Sequence, residues 1–294
     1  MDFLFPFVTS EDPAWQEQIR QFAPYFDVCR FRDYGTLKYL MRGVEKNMPF
    51  IDRIVMLVAM ESQVPEWVNR KTVKVVTHNE IMPDGVLPTF NSSVIECYIN
   101  NIRDLSEKFI YANDDMFPIG PLTEECFFSG DRPIVNYKEM DVYNTSFLKM
   151  IKHANDVAAR IARKEPMRGF VKPAHFFSPM IRSVNRDIAF TAQDDIKKSI
   201  SRFRTTYNIN QYFYLDYYIF SGLSISVPFA YRAKRAAFDH PSKAKAIASD
   251  ITSGRYQIYC INDEYHSNNN FDYAINTIRD AFEQILPEKS KWEV

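Results

Sequence analysis

Residues 53–60, Arg53-Ile54-Val55-Met56-Leu57-Val58-Ala59-Met60, constrain the fold more than any other stretch. An unbroken apolar run of this kind is typical of a strand covered on both faces. The flanking sequence supplies the cover. Residues 2–9 read as a short buried strand, and Asp12-Pro13-Ala14-Trp15 reads as an N-cap followed by proline at the first helical position. Leu37, Leu40, Met41 and Val44 keep a helical stripe, with Lys38, Arg42 and Lys46 elsewhere on the wheel, and Pro49 closes that unit. Residues 73–77 predict a strand, 94–105 a helix and 108–112 another strand. Such alternation predicts an α/β fold with a mostly parallel central sheet flanked by helices. The second half is more helical: helices are expected over 143–164, 192–204 and 272–286, an aromatic-rich segment at 210–222, and a strand at 256–261.

The chain has 294 residues, 46% hydrophobic and 15% aromatic, so it is globular. Its 36 basic and 37 acidic residues leave a formal net charge of −1, and nothing global points to nucleic acid. Only 8 glycines argue against a Gly-rich phosphate loop. Cys29, Cys97, Cys126 and Cys260 form no CxxC pair and read as thiols in a reducing cytoplasm. The N-terminus lacks the basic and apolar regions of a signal peptide, and no apolar stretch reaches about 18 residues. The expectation is a cytoplasmic protein, peripheral to a membrane at most.

Asn113-Asp114-Asp115 ends the 108–112 strand. Adjacent carboxylates at the carboxyl end of a strand suit a hard divalent cation, and that edge of an open α/β sheet is where nucleotide ligands sit. The competing reading is a solvated turn, since neighbouring strand side chains point opposite ways. Asn262-Asp263 repeats the pattern at the end of 256–261, so two acidic strand ends could converge. Glu96 falls on the predicted 94–105 helix, as a site acid or a surface one. His175 lies in a loop held extended by Pro173 and Pro179, where a neutral imidazole could take a hydroxyl proton. Arg202 and Arg204 flank Phe203, as a phosphoryl-gripping fork or a solvated helix face. Tyr212, Phe213, Tyr214, Tyr217, Tyr218 and Phe220 read as core before sugar platform. Residues 231–235, with Lys243 and Lys245, are either a solvated face or a seat for anionic lipid headgroups.

In this order, the segments resemble the Stealth family of sugar-phosphate transferases, which includes bacterial capsule polysaccharide phosphotransferases and the GlcNAc-1-phosphotransferase alpha/beta subunit. Residues 2–12 resemble its first block and 32–115 its second and most specific. There Leu87-Pro88-Thr89-Phe90-Asn91-Ser92 is followed by Ile95-Glu96 and then by Leu105 through Asp115. Residues 173–221 resemble the third block and 260–293 the fourth. The resemblance implies one catalytic domain on a GT-A/Rossmann-like fold, with a nucleotide-sugar half over about 1–130 and an acceptor half over about 131–294. It implies transfer of a sugar 1-phosphate, with an N-acetylhexosamine favoured, from a UDP-sugar to a hydroxyl of an acceptor oligosaccharide or polysaccharide, lipid-linked or free. UMP leaves, and the products are capsule or exopolysaccharide phosphodiesters.

The implied roles are assigned residue by residue. Asp2, Lys38, Arg42, Asn91, Ser92 and Asn113 would bind the donor. Asp114, Asp115, Asn262 and Asp263 would hold Mg²⁺ or Mn²⁺. Glu96, Asp115, His175 and Arg204 would be catalytic, with His175 as base and Arg204 stabilising charge on the phosphoryl oxygens. The chain departs from the family pattern at Phe7-Val8-Thr9-Ser10, where a glycine is usual, at Thr36-Leu37-Lys38, where lysine replaces a bidentate arginine, and at Met60-Glu61-Ser62-Gln63. Two other activities fit an acidic strand end or an aromatic stripe: metal-dependent GT-A-like glycosyl transfer releasing UDP, and glycan binding without catalysis.

Overall fold

The computed structural model describes residues 1–165, 167–226, 231–264 and 271–294. In chain order its elements are β1 (Asp2–Phe7), α1 (Pro13–Arg20), α2 (Leu37–Asn47), β2 (Arg53–Val58), β3 (Val73–Thr77), α3 (His78–Ile81), α4 (Ser92–Tyr98), β4 (Lys108–Tyr111), β5 (Met116–Pro118), β6 (Phe128–Ser129), β7 (Arg132–Pro133) and β8 (Tyr137–Met140). There follow α5 (Ser146–Ile161), β9 (Phe170–Pro173), β10 (Ser178–Ile181), α6 (Arg182–Thr191), α7 (Gln193–Ser199), α8 (Tyr212–Phe220), β11 (Ala233–Phe238), α9 (Ser242–Thr252), β12 (Ile258–Asp263) and α10 (Phe271–Ile285).

Five strands form one sheet in the order β10-β4-β1-β2-β3. The run β3-β2-β1-β4 is the strand order of doubly wound nucleotide-binding sheets, and the strands are mostly parallel and flanked by helices. β10 lies at the edge, antiparallel to β4, with Ser178 opposite Tyr111 and Ile181 opposite Lys108. The chain goes from β1 to β2 and β3 on one side and returns to β4 on the other. In sheets with this strand order, ligands bind beyond the carboxyl ends of the strands. The second half is indeed the more helical: among the described residues, the two longest helices are α5 and α10.

By contacts the chain divides into two compact units that interleave along the sequence. One comprises Met1–Asp2, Val76–Tyr111 and Phe127–Phe229; the other comprises Phe3–Val75, Ala112–Cys126 and Ala230–Val294. In the first unit α8 is central. Its sequence, YFYLDYYIF, is apolar on every face, which suits a helix enclosed by others. Tyr212, Phe213, Tyr214 and Tyr218 are buried with Ile151, Ala154 and Ala158 of α5 and Ile188 of α6. The aromatic stripe is core, as its sequence implied. In the second unit Ile54 through Val58 of β2 are buried, as the continuous apolar run required. Asp12 caps α1 by accepting the Ala14 and Trp15 N–H groups at 2.8 and 3.3 Å, and Trp15 and Ile19, one turn apart, bury its inner face.

Two predicted helices are shorter than periodicity implied. The 94–105 helix is α4 followed by a single 3₁₀ turn, Ile99–Asn101, and Asp104 at φ +56° takes the chain out of helical space. The 192–204 helix stops at Ser199, because Asn208 Nδ2 takes the Ser199 carbonyl and the Ser201 hydroxyl donates to Phe203 O at 2.8 Å. Arg202 and Arg204 therefore stand on a loop and not on a helix face.

Candidate active site

In the second unit the chemistry gathers where the 112–116 segment meets β12. Ala112 N–H donates to Leu4 O at 2.9 Å, so the segment after β4 stays beside β1, and Met116 N–H donates back to Asn113 O at 3.2 Å. β5 then pairs antiparallel with β12, Met116 opposite Cys260. One residue further, Ile261 N–H donates to Asp115 O at 2.9 Å. The acidic end of β12, Asn262-Asp263, thus runs alongside Asn113-Asp114-Asp115.

Asp115 Oδ2 accepts the Cys260 thiol at 3.6 Å, while its Oδ1 is buried without a hydrogen-bond partner among the described residues. Both aspartates keep some surface, yet the surrounding protein disfavours their charge. Burial pushes Asp115 up to about 6, partly offset by the Cys260 thiol and the Arg235 charge. Burial, then the charges of Asp115 and Asp33, hold Asp114 well above the usual carboxylate range. Asp263 lies 3.7 Å from Arg32, whose guanidinium sits 4.2 Å over the Phe271 ring. Burial and the Asp263 charge raise the neighbouring Tyr34 hydroxyl's pKa. Asn262 Nδ2 donates to Glu264 at 2.6 Å.

A hard divalent cation fits this carboxylate set. It would supply the partner that Asp115 Oδ1 lacks and relieve the repulsion between Asp114 and Asp115. The loop after β1, on the same edge, is held by Gln63: its Oε1 accepts Thr9 N–H at 2.7 Å and its Nε2 donates to Thr9 O at 3.1 Å. Two departures from the family pattern, at Thr9 and at Gln63, are therefore one feature in space.

In the first unit His175 lies between β9 and β10, at the carboxyl end of β4, because Ser178 opens β10 opposite Tyr111. Its loop is pinned at both ends. Ala174 N–H donates to Asn136 O at 2.8 Å, and the Ser178 hydroxyl donates to Gln211 Oε1 at 2.9 Å. His175 Nδ1 is 2.6 Å from the Tyr212 hydroxyl. Glu96 is buried. Its Oε2 accepts Gln211 N–H at 2.8 Å and its Oε1 the Tyr111 hydroxyl at 3.2 Å. Burial pushes its pKa up to about 7 against the opposing pull of these hydrogen bonds and of Arg204. Arg204 is exposed and donates to Ser92 Oγ at 2.6 Å.

Several residues expected at the donor have other work. Asp2 accepts Ser106 N–H at 2.8 Å at the amino end of β1, opposite the ligand-binding edge. Arg42 is buried, with Nε and Nη2 on Glu293 at 2.9 and 3.0 Å and Nη1 on the Leu286 and Pro287 carbonyls at 3.0 and 3.2 Å. It fastens the C-terminal segment through Glu293 and the Leu286 and Pro287 carbonyls. Lys38 lies over the Tyr39 ring, 3.8 Å from Glu283. Asn91 is buried as the N-cap of α4, accepting Ser93 N–H at 3.1 Å and donating to Asn208 at 3.0 Å. Glu96, expected to be catalytic, is enclosed and accepts the backbone N–H of Gln211, the residue before α8. Sequence reasoning assigned no role to Arg32, Tyr34 or Cys260 and read Tyr212 as core before sugar platform. The place of Arg32 at the start of the second block was the one available signal for the first of these.

The Stealth protein CR2 model, conserved region 2, matches residues 30–135. The capsular polysaccharide phosphotransferase fcs1 of Haemophilus influenzae is 30% identical over 92% of this chain and 80% of its own length. The exopolysaccharide phosphotransferase cps2G of Lactiplantibacillus plantarum is 29% identical over 100% of this chain and 96% of its own. The capsular polysaccharide phosphotransferase WcwK of Streptococcus pneumoniae is 28% identical, over 100% and 98%. Among solved structures, the galactosyltransferase LgtC aligns over 99% of both chains at 10% identity with a TM-score of 0.46, too distant a likeness to add to the strand order. Identity of 30% with fcs1 across most of both chains, and a CR2 match that includes the Asn113–Asp115 segment, settle the relationship: this chain is a phosphotransferase enzyme of the Stealth family.

Proposed function

We propose that the chain transfers a sugar 1-phosphate from a UDP-sugar to a hydroxyl of an acceptor glycan, in the synthesis of capsule or exopolysaccharide. The observation that carries this reading is Asp115, in the segment that follows β4, with a buried carboxylate oxygen that has no hydrogen-bond partner among the described residues. The names of the relatives, all polysaccharide phosphotransferases, support the acceptor class. An N-acetylhexosamine is the favoured sugar.

In the reaction, the acceptor oxygen attacks the sugar-bearing phosphorus. A new O–P bond forms as the bridging P–O bond to the uridine phosphate breaks, and UMP leaves with the electron pair. The bond between anomeric carbon and oxygen stays intact, so the donor's anomeric configuration is retained. His175 takes the acceptor's hydroxyl proton. Arg204 offers its guanidinium to the equatorial phosphoryl oxygens. Asp115, with Asp114 and Asp263, would hold Mg²⁺ or Mn²⁺, which when bound neutralises diphosphate charge. Asn113 and Ser92 remain as donor contacts to be tested.

No helix among the described residues is long and apolar enough to cross a membrane. We assign the enzyme to the cytoplasm, at the inner face of the membrane where its acceptor is lipid-linked. The test is incubation with a panel of UDP-sugars, an acceptor glycan and Mg²⁺ or Mn²⁺, followed by chromatography of the nucleotide product. UMP with a phosphodiester supports the proposal. UDP with a glycosidic bond replaces it with glycosyl transfer.

A further inference from the structure

We propose that Tyr212 is a positioning residue for His175: its buried hydroxyl accepts the Nδ1–H and so fixes the imidazole tautomer that leaves Nε2 as the basic nitrogen. The inference rests on His175 acting as the base and deepens that reading. A neutral imidazole has one protonated and one basic nitrogen, and the partner of the first decides which is which. His175 Nδ1 and Tyr212 Oη are 2.6 Å apart, with the ring centroids 6.3 Å apart and the rings at 67°. A phenol oxygen can donate or accept. Only acceptance from Nδ1–H leaves the distal nitrogen able to take a proton from an acceptor hydroxyl.

The phenol is well placed to act as a fixed reference. Tyr212 is 2% exposed and opens α8. The residue before it, Gln211, is held twice: its backbone N–H by Glu96 Oε2 at 2.8 Å and its side chain by Ser178 Oγ at 2.9 Å. Tyr212 N–H donates to Asn210 Oδ1 at 3.1 Å. Ser178 also ends the loop that carries His175. One short segment, residues 210–212, therefore holds both the histidine's loop and the hydroxyl that orients its ring. This gives buried Glu96 a role without substrate contact, since it anchors the segment.

The test has three parts. In a ¹⁵N-histidine NMR spectrum of the wild-type protein, with His175 assigned by its loss in H175A, Nδ1 should resonate as a protonated, pyrrole-type nitrogen and Nε2 as a pyridine-type one. The reverse assignment overturns the proposal, and this part needs no variant at Tyr212 to fold. Second, Tyr212→Phe, which keeps the ring, should lower kcat by about 10- to 100-fold while the donor KM stays within about twofold. Unchanged kcat overturns it. Third, in an H175A background the same Tyr212→Phe change should alter kcat by less than about twofold, since the two residues act as one unit; an equal loss in both backgrounds marks a structural role and overturns it. If H175A alone retains full turnover, the base role of His175 falls. If H175A is impaired and Y212F is not, only the Tyr212 proposal falls.

Discussion

Glu96 offers a quantitative test of how the His175 support is built. Its carboxyl titrates near 7 in the folded protein, against 4.5 for the unperturbed group, because burial outweighs the Gln211 N–H, the Arg204 charge and the Tyr111 hydroxyl. At low pH both folded and unfolded chains carry the proton. Between about 4.5 and about 7 the unfolded chain has lost it and the folded one has not, so stability falls as pH rises through this window. The shift from 4.5 to about 7 is about 2.5 units, or on the order of 3 kcal/mol at about 1.4 kcal/mol per unit. Glu96→Gln cannot ionise. Its carbonyl can still accept Gln211 N–H, and its amide can donate to the Tyr111 oxygen. In urea titrations at pH 4.5 and pH 8, the stability of E96Q relative to wild type should therefore rise by on the order of 3 kcal/mol from the lower pH to the higher. All other titrating groups cancel in that difference. A pH-independent difference, or one that changes in the opposite sense, would refute the reasoning.

Three further outcomes follow from particular contacts. Arg42→Ala strands buried Glu293 and should cost about 3–5 kcal/mol in urea unfolding, while donor KM measured well below the melting temperature stays within about twofold; a tenfold rise in KM would return Arg42 to the donor site. Phe213→Ala, at a fully buried α8 position, should cost about 3–5 kcal/mol, and a loss under about 1 kcal/mol would mean that α8 is not the core of its unit. Asp115→Asn should weaken Mn²⁺ binding at least tenfold by calorimetry, because the amide carries no charge to offer the cation; unchanged affinity would remove Asp115 from the metal set.

The framework of the fold was open to a sequence reading because its strands are local patterns. The predicted 73–77 strand is β3 itself, and residues 53–60, 2–9 and 108–112 contain β2, β1 and β4, each recognisable from contiguous apolar residues. The enclosed aromatic helix was equally local. What escaped was nonlocal. Arg42 looked like a surface cation on the helical wheel because its partner, Glu293, lies 251 residues away. Asn91 and Asp2 looked available for the same reason, their partners Asn208 and Ser106 being 117 and 104 residues distant. The early end of α7 depends on Asn208 reaching back to Ser199, which helical periodicity cannot register. The two interleaved units are marked by no clear shift in composition. Tyr212 shows the limit most clearly: an aromatic stripe predicts burial, but the hydroxyl's contact with His175 depends on a loop 37 residues upstream.

The central claim is that the bond broken lies between the two phosphorus centres of the donor and not at the anomeric carbon. A UDP-sugar carrying ¹⁸O at the anomeric oxygen separates the two directly. With the native enzyme, acceptor and Mg²⁺ or Mn²⁺, mass spectrometry should find the label in the sugar-phosphate diester and none in the released nucleotide, which is UMP. Label recovered in UDP, with an unlabelled glycosidic product, would contradict the account.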